Sequence, residues 1–188
     1  FHSKDFRFKL KYVTINFKNG NIDKYKIVFK SMKKNVIIVL IDGGRLDFAT
    51  KSDTFQKLTS NMIHFTQSIT YAPYTTAAMH AVLTGCYGNR TGVNSYWNIF
   101  KFKNKQFLTL ADYLSKNNYY TYADGHTELI IPKFGFREFN VHDEQKINLI
   151  EWHSELLDNM KKKYDDGQNF FLYLHYSKIH TGVSNEVL

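Results

Sequence analysis

The sequence contains one cysteine, Cys86, and two prolines, Pro73 and Pro132, in 188 residues. A single cysteine excludes an internal disulfide framework and a cysteine-based zinc site. It leaves Cys86 as an ordinary, partly buried side chain. No apolar stretch approaches the ~20 residues of a transmembrane helix, and no signal-peptide pattern is present. Those two absences favour the cytoplasm, although the sequence starts at Phe1 and not at Met, which weakens that expectation. Low-complexity tracts and collagen-like repeats are missing, and the ten glycines are an ordinary complement. No recognised nucleic-acid motif occurs, so specific nucleic-acid binding is not expected.

What is present is a substantial stock of core-forming residues. The chain is 43% hydrophobic and 16% aromatic, which excludes a disordered protein. Its length fits one domain better than two. Lys plus Arg number 25 and Asp plus Glu 17, for a net charge of +8. The lysines are scattered and do not form one stripe. The densest run, Lys161-Lys162-Lys163, falls near the end of an expected helix, where it complements the negative end of the helix dipole.

Residues 6–29 read as a β-hairpin. Phe6, Phe8, Leu10, Tyr12 and Thr14 alternate with mostly polar residues, Asn19-Gly20 is a strong turn signal, and Tyr25 to Phe29 returns. This hairpin is expected to be an extension, residues 1–34, ahead of a domain spanning 35–188. The run Asn35-Val-Ile-Ile-Val-Leu-Ile41 has no alternation and predicts a strand buried on both faces of a parallel sheet. Beyond it the pattern predicts a helix over 53–60, a strand around Ile63–Ile69, a turn over 72–76 and a helix over 77–83. A second turn region follows over 85–92, then a helix capped by Thr109 and reaching Lys116. A strand over 119–123 precedes the strongest helix, Ile147 to Tyr164, with Leu149, Trp152, Leu156 and Met160 on one face. Asp165-Asp166-Gly167 ends it, and a last strand covers 170–175. Strands alternating with helices predict an α/β fold, a mainly parallel sheet sandwiched by helices, with the N-terminal β-hairpin extension.

In such sheets ligands bind beyond the C-terminal ends of the strands. Asp42, His126 and His180 all follow expected strands. Asp42 can hold a cation, or it can be a turn aspartate bonding its own backbone. Thr75, at a helix start, can be a plain N-cap. It can also be a nucleophile beside an anion held at the helix N-terminus, provided a metal or base activates its hydroxyl. By chemistry alone Thr76 could serve equally.

The segment Val36 to Trp97 resembles the N-terminal part of the alkaline phosphatase superfamily, closest to its sulfatase-like and nucleotide pyrophosphatase/phosphodiesterase branches. The resemblance is carried by Ile37-Ile38-Val39-Leu40-Ile41-Asp42-Gly43-Gly44-Arg45-Leu46-Asp47 and by Thr75-Thr76-Ala77-Ala78-Met79-His80-Ala81-Val82-Leu83-Thr84-Gly85. Cys86-Tyr87-Gly88-Asn89-Arg90-Thr91-Gly92-Val93 continues it. Later blocks, Thr109 to Leu114, Gly135-Phe136-Arg137-Glu138-Phe139, and Phe170 to His175 ending at His180, extend it over residues 35–182. It implies a covalent mechanism on a phosphate or sulfate ester. Thr75 falls on the nucleophile position and Asp42 on the first metal-binding aspartate. Thr75 joins Asp42 as a metal ligand, and Thr76, His126 and His180 are expected to contact substrate. The cofactor implied is a divalent metal, zinc first, with manganese, magnesium or calcium as alternatives.

Departures narrow the chemistry. Sulfatases carry Cys or Ser at the nucleophile, converted to formylglycine, followed by Pro-x-Arg; here Thr75, Ala77 and Met79 stand at those places. Threonine cannot become formylglycine. Cys86-Tyr87-Gly88-Asn89-Arg90 mimics the modification motif but lies beyond the Leu83-Thr84-Gly85 block. Gly43 replaces a second aspartate, and Ala78 stands where the phosphodiesterase branch has an asparagine. No Asp-His-Gly-like motif for the remaining metal ligands is found, so the C-terminal half of the family domain is expected to be missing. The expected function is a metal-dependent phosphoester hydrolase or phosphotransferase acting on a small anionic ester carried by a glycan, lipid or nucleotide. The alternatives are a non-catalytic domain binding an anionic glycan or a protein partner, and a sulfuric ester hydrolase.

Overall fold

The computed structural model describes residues 12–18, 21–28, 34–60 and 62–181. The chain divides into two compact units, Phe1–Lys34 and Asn35–Leu188. In the first, β1 (Tyr12–Lys18) and β2 (Asn21–Val28) pair antiparallel, Tyr12 opposite Val28, with an irregularity between Asn16 and Phe17. The expected Asn19-Gly20 turn, Phe6, Phe8, Leu10 and Phe29 lie outside the described residues.

The second unit holds a four-stranded sheet whose paired strands are all parallel. Its strands are β3 (Val36–Ile41), β4 (Tyr120–Gly125), β5 (Glu138–Val141) and β6 (Phe170–Tyr176), in the order β3-β6-β4-β5. Between β3 and β4 lie α1 (Leu46–Ala49), α2 (Asp53–Thr59), α3 (Thr75–Thr84), α4 (Gly88–Thr91) and α5 (Leu110–Lys116). A 3-10 segment, Tyr96–Lys101, separates the last two. The helix α6 (Leu149–Asp165) joins β5 to β6, and α7 (Lys178–Thr181) follows β6.

Side chains of a strand alternate between its two faces. One face of this sheet packs Phe171, Tyr173 and Ala123 against Met79 and Leu83 of α3 and Ala111 and Leu114 of α5. The other packs Tyr120, Tyr122, Leu172 and Leu174 against Leu156 and Met160 of α6. The sandwich read from the sequence is therefore present.

Two expectations fail. Only Val36, Ile38 and Leu40 of β3 pack inward, whereas Ile37, Val39 and Ile41 are about half exposed, at 49%, 53% and 54%. An α-helix is about 10 Å across and strands lie about 4.8 Å apart, so one helix covers about two strands. The α6 layer is used on β4 and β6, and β3 sits at the edge beyond it. The strand expected around Ile63–Ile69 is irregular chain, with Ile63, Phe65 and Ile69 exposed. The residues alternate as a strand would, but the sheet offers this segment no partner. Smaller differences are that α3 begins at Thr75, two residues early, and that the 85–92 turn contains α4 between left-handed Gly85 and Gly92.

Candidate active site at the strand ends

The constellation on the α3 face begins with β3. Asp42 is the first residue past that strand, and its N–H donates to Tyr176 O at 2.8 Å, continuing the β3–β6 ladder. Its side chain has the parity of Leu40 and so turns to the α3 side. There Thr75 opens α3 and its Oγ1 donates to the Asp42 carboxylate, 3.1 Å from Oδ1 and 3.0 Å from Oδ2. His175, opposite Leu40 in the β6 register, brings Nε2 to 3.4 Å from Asp42 Oδ2. The His126 ring, one residue past β4, stands edge-on to His175 with centroids 4.8 Å apart.

Burial lowers the pKa of both rings, and for His175 the nearby His126 adds to it; Asp42 and Glu144 only partly offset the effect. Both imidazoles are thus held neutral near pH 7, each with a buried nitrogen (His126 Nδ1, His175 Nε2) lacking a hydrogen-bond partner. Carboxylate, hydroxyl and neutral imidazole together suit a borderline divalent cation such as zinc. The residues present therefore fit the metal that the resemblance implies.

Thr75 is not capped by its predecessor: Tyr74, the N-cap, makes no side-chain cap bond. The first intrahelical bond runs from Ala78 N to Tyr74 O, so the N–H groups of Thr75, Thr76 and Ala77 have no acceptor within the helix. They form a donor cluster beside the hydroxyl that an anion can use. The Thr76 side chain is itself buried. His180 is exposed in α7, where its backbone lies against Gly43. A Cβ at Gly43 would fall 2.9 Å from His180 Cα, and Gly43 has φ +77°, so glycine is needed there on two counts. Asp42, Thr75, His126 and His175 are thus gathered into one group, and His180 is held beside it through Gly43.

A second group occupies the opposite face, and sequence reasoning missed it. Asp124 in β4, fully buried, has the parity of Tyr122 and faces α6. It is in contact with His142 Nδ1 and accepts from Trp152 Nε1 at 2.5 Å. His153 Nε2 lies 3.5 Å from it. Burial works to raise the Asp124 pKa, but His153, Trp152 and His142 outweigh it and hold the carboxyl below its ordinary range. Two signals existed in the sequence: a carboxylate inside a wholly buried strand, and a histidine one position from Trp152 on the apolar side of α6. His142 and Glu144 offered none.

The model of the family described as Sulfatase matches residues 34–187. No curated protein matches the chain. Among solved structures, one similar chain is BT4656 in complex with its substrate D-glucosamine-2-N,6-O-disulfate, with a TM-score of 0.61 and 15% identity over 76% of this chain and 34% of that one. Another is the lipoteichoic acid synthase LtaP from Listeria monocytogenes, with a TM-score of 0.50 and 19% identity over 76% of this chain and 40% of that one. At these identities the likeness concerns the fold. The chain spans between a third and two-fifths of the length of these structures.

Proposed function

The chain belongs to the sulfatase family, with the sulfatase-like fold of the alkaline phosphatase superfamily, and on that footing we propose that it carries the nucleophile of a phosphoester hydrolase or phosphotransferase. The observation that supports this most is the Thr75 hydroxyl, at the start of α3 and within 3.0–3.1 Å of both oxygens of Asp42.

In this reading Thr75 Oγ, oriented by its hydrogen bonds to the Asp42 carboxylate, attacks phosphorus, and its proton goes to the departing ester oxygen. The Oγ–P bond forms, the ester P–O bond breaks, and the leaving oxygen departs on the His180 side. The free N–H groups of Thr76 and Ala77 hold the non-bridging oxygens, where negative charge is concentrated. Water, or an acceptor hydroxyl, then attacks phosphorus; the Oγ–P bond breaks and the attacking group's proton goes to Thr75 Oγ, which restores the hydroxyl. His126, neutral and next to His175, borders the substrate. A divalent cation held by Asp42 and Thr75 would supply charge neutralisation and a lower hydroxyl pKa. The similar structures, one bound to a sulfated glucosamine and one a lipoteichoic acid synthase, support an anionic ester carried by a larger sugar or lipid group. Phosphoryl over sulfuryl transfer rests on Thr75, which cannot be oxidised to formylglycine.

The test is steady-state turnover of the full-length protein on aryl phosphate monoesters, aryl phosphate diesters and aryl sulfates, with zinc or manganese supplied. Thr75→Ala should lower kcat on the preferred phosphoester by about 1,000-fold or more, as loss of a covalent nucleophile does. Unchanged turnover in that variant removes Thr75 from the role. Preference for the aryl sulfate overturns the phosphoester assignment. Anion binding with no turnover favours the non-catalytic reading.

A further inference from the structure

We propose that Asp124, His142 and His153 form a second divalent-cation site, of the zinc class, on the sheet face opposite Thr75. One carboxylate oxygen and one nitrogen from each ring lie within 4.8 Å of one another, and all three residues are buried. Ligand atoms around a tetrahedral zinc are about 3.3 Å apart, given metal–ligand distances of about 2.0–2.1 Å, so a cation fits once His142 draws back from the Asp124 oxygen it touches and the wider gaps among the three close.

The hydrogen bonding supports a metal over a plain polar cluster. His153 is 4% exposed, and its Nε2, aimed at Asp124 Oδ2, has no hydrogen-bond partner. Its other nitrogen, Nδ1, is 2.7 Å from Tyr176 Oη. With Nδ1–H donating to that oxygen, the Nε2 lone pair faces the cluster. His142 presents Nδ1 to Asp124 and turns Nε2 toward Glu144 Oε1, 4.0 Å away. Each ring therefore has one nitrogen directed inward and a carboxylate or phenol beside the other, the arrangement that orients metal-bound histidines. Asp124 is itself fixed by Trp152 Nε1 and, at 3.3 Å, by Asn140 Nδ2. Two imidazoles and one carboxylate suit zinc or a neighbouring first-row cation.

The site joins three elements: the end of β4, the residue after β5, and the second turn of α6. A cation there would pin α6 to the sheet. Because Asp124 and Asp42 face opposite sides, the two groups share no ligand, and either proposal can fail without the other.

The experiment is metal binding by the full-length protein carrying Asp42→Asn and Thr75→Ala, stripped with chelator and titrated with Co(II) and Zn(II). One equivalent should bind, with a visible Co(II) spectrum of low-symmetry nitrogen–oxygen coordination. Adding His153→Gln or His142→Gln should weaken binding by about 100-fold or more, and Tyr176→Phe by about 10-fold, the range seen for outer partners of a metal ligand. No binding in the double variant, or binding untouched by both histidine changes, overturns the proposal. Should the histidine variants fail to fold, zinc-edge X-ray absorption on the double variant with His126→Gln added decides: two imidazoles on the metal support it, and their absence contradicts it.

Discussion

Thr75 and Asp42 are 33 positions apart in sequence and meet because one ends a strand and the other begins a helix on the same face of the sheet. The residue scale also explains Gly43. Its left-handed backbone and the His180 Cα against it leave no room for a side chain. Gly43→Ala is expected to displace α7 and lower kcat by about 10-fold or more through loss of positioning, with the fold retained by circular dichroism. His80 gives a prediction about stability. Its ring is buried on α3, edge-on to Phe102, with both nitrogens unpartnered, and burial lowers its pKa to about 4. The unfolded chain binds the proton more readily than the folded one. This contribution is therefore full above pH 6.5 and is lost as pH falls from 6.5 toward 4. A shift of that size is worth roughly 3 kcal/mol. Urea unfolding at pH 7 and pH 5 should show the loss, and His80→Leu should reduce the difference.

The elements differ in how openly the sequence announced them. Thr109 and Asp112 make a capping box at the start of α5, and Thr109 Oγ1 also donates to Phe134 O at 2.8 Å. Thr109→Ala should cost about 1–2 kcal/mol, read as a lower denaturation midpoint. That helix was legible because a cap is a local signal, and α6 was legible because its apolar period is sustained over 17 residues. The outer face of β3 was not: an apolar run records that a strand is apolar, and which neighbours cover it depends on strand order. The Ile63–Ile69 segment misled for the same reason, since alternation needs a sheet partner to become a strand. Asp42, Thr75, His126 and His180 could be named from strand ends and a helix start. The cluster at Asp124 could not, because it draws residues 18 and 29 positions further along the chain onto one face.

At the scale of the whole parallel sheet, both groups sit at its C-terminal edge and on opposite faces. The α3 face carries the Thr75 hydroxyl, hydrogen-bonded to Asp42, with helix N–H groups beside it that have no acceptor within the helix. The α6 face carries a buried carboxylate and two histidines enclosed by Trp152, Tyr176, Asn140 and Glu144. Glu144 links the α6-side group to the chain after β6 by accepting from Ser177 N at 2.6 Å, just ahead of α7 and His180. Glu144→Gln should therefore affect both faces modestly. It weakens the acceptor that holds Ser177 N and removes the carboxylate facing His142. The expected readouts are a lower melting temperature and a small rise in KM.

The role proposed for Thr75 requires that it become covalently modified during turnover. The direct measurement is rapid acid quench of the full-length protein with a phosphoester substrate and divalent metal, followed by peptide mass spectrometry. A phosphoryl group on Thr75, absent from the Asp42→Asn variant, is the predicted result. Sustained turnover with no phosphoryl group trapped on Thr75, or one trapped on another residue, would contradict it.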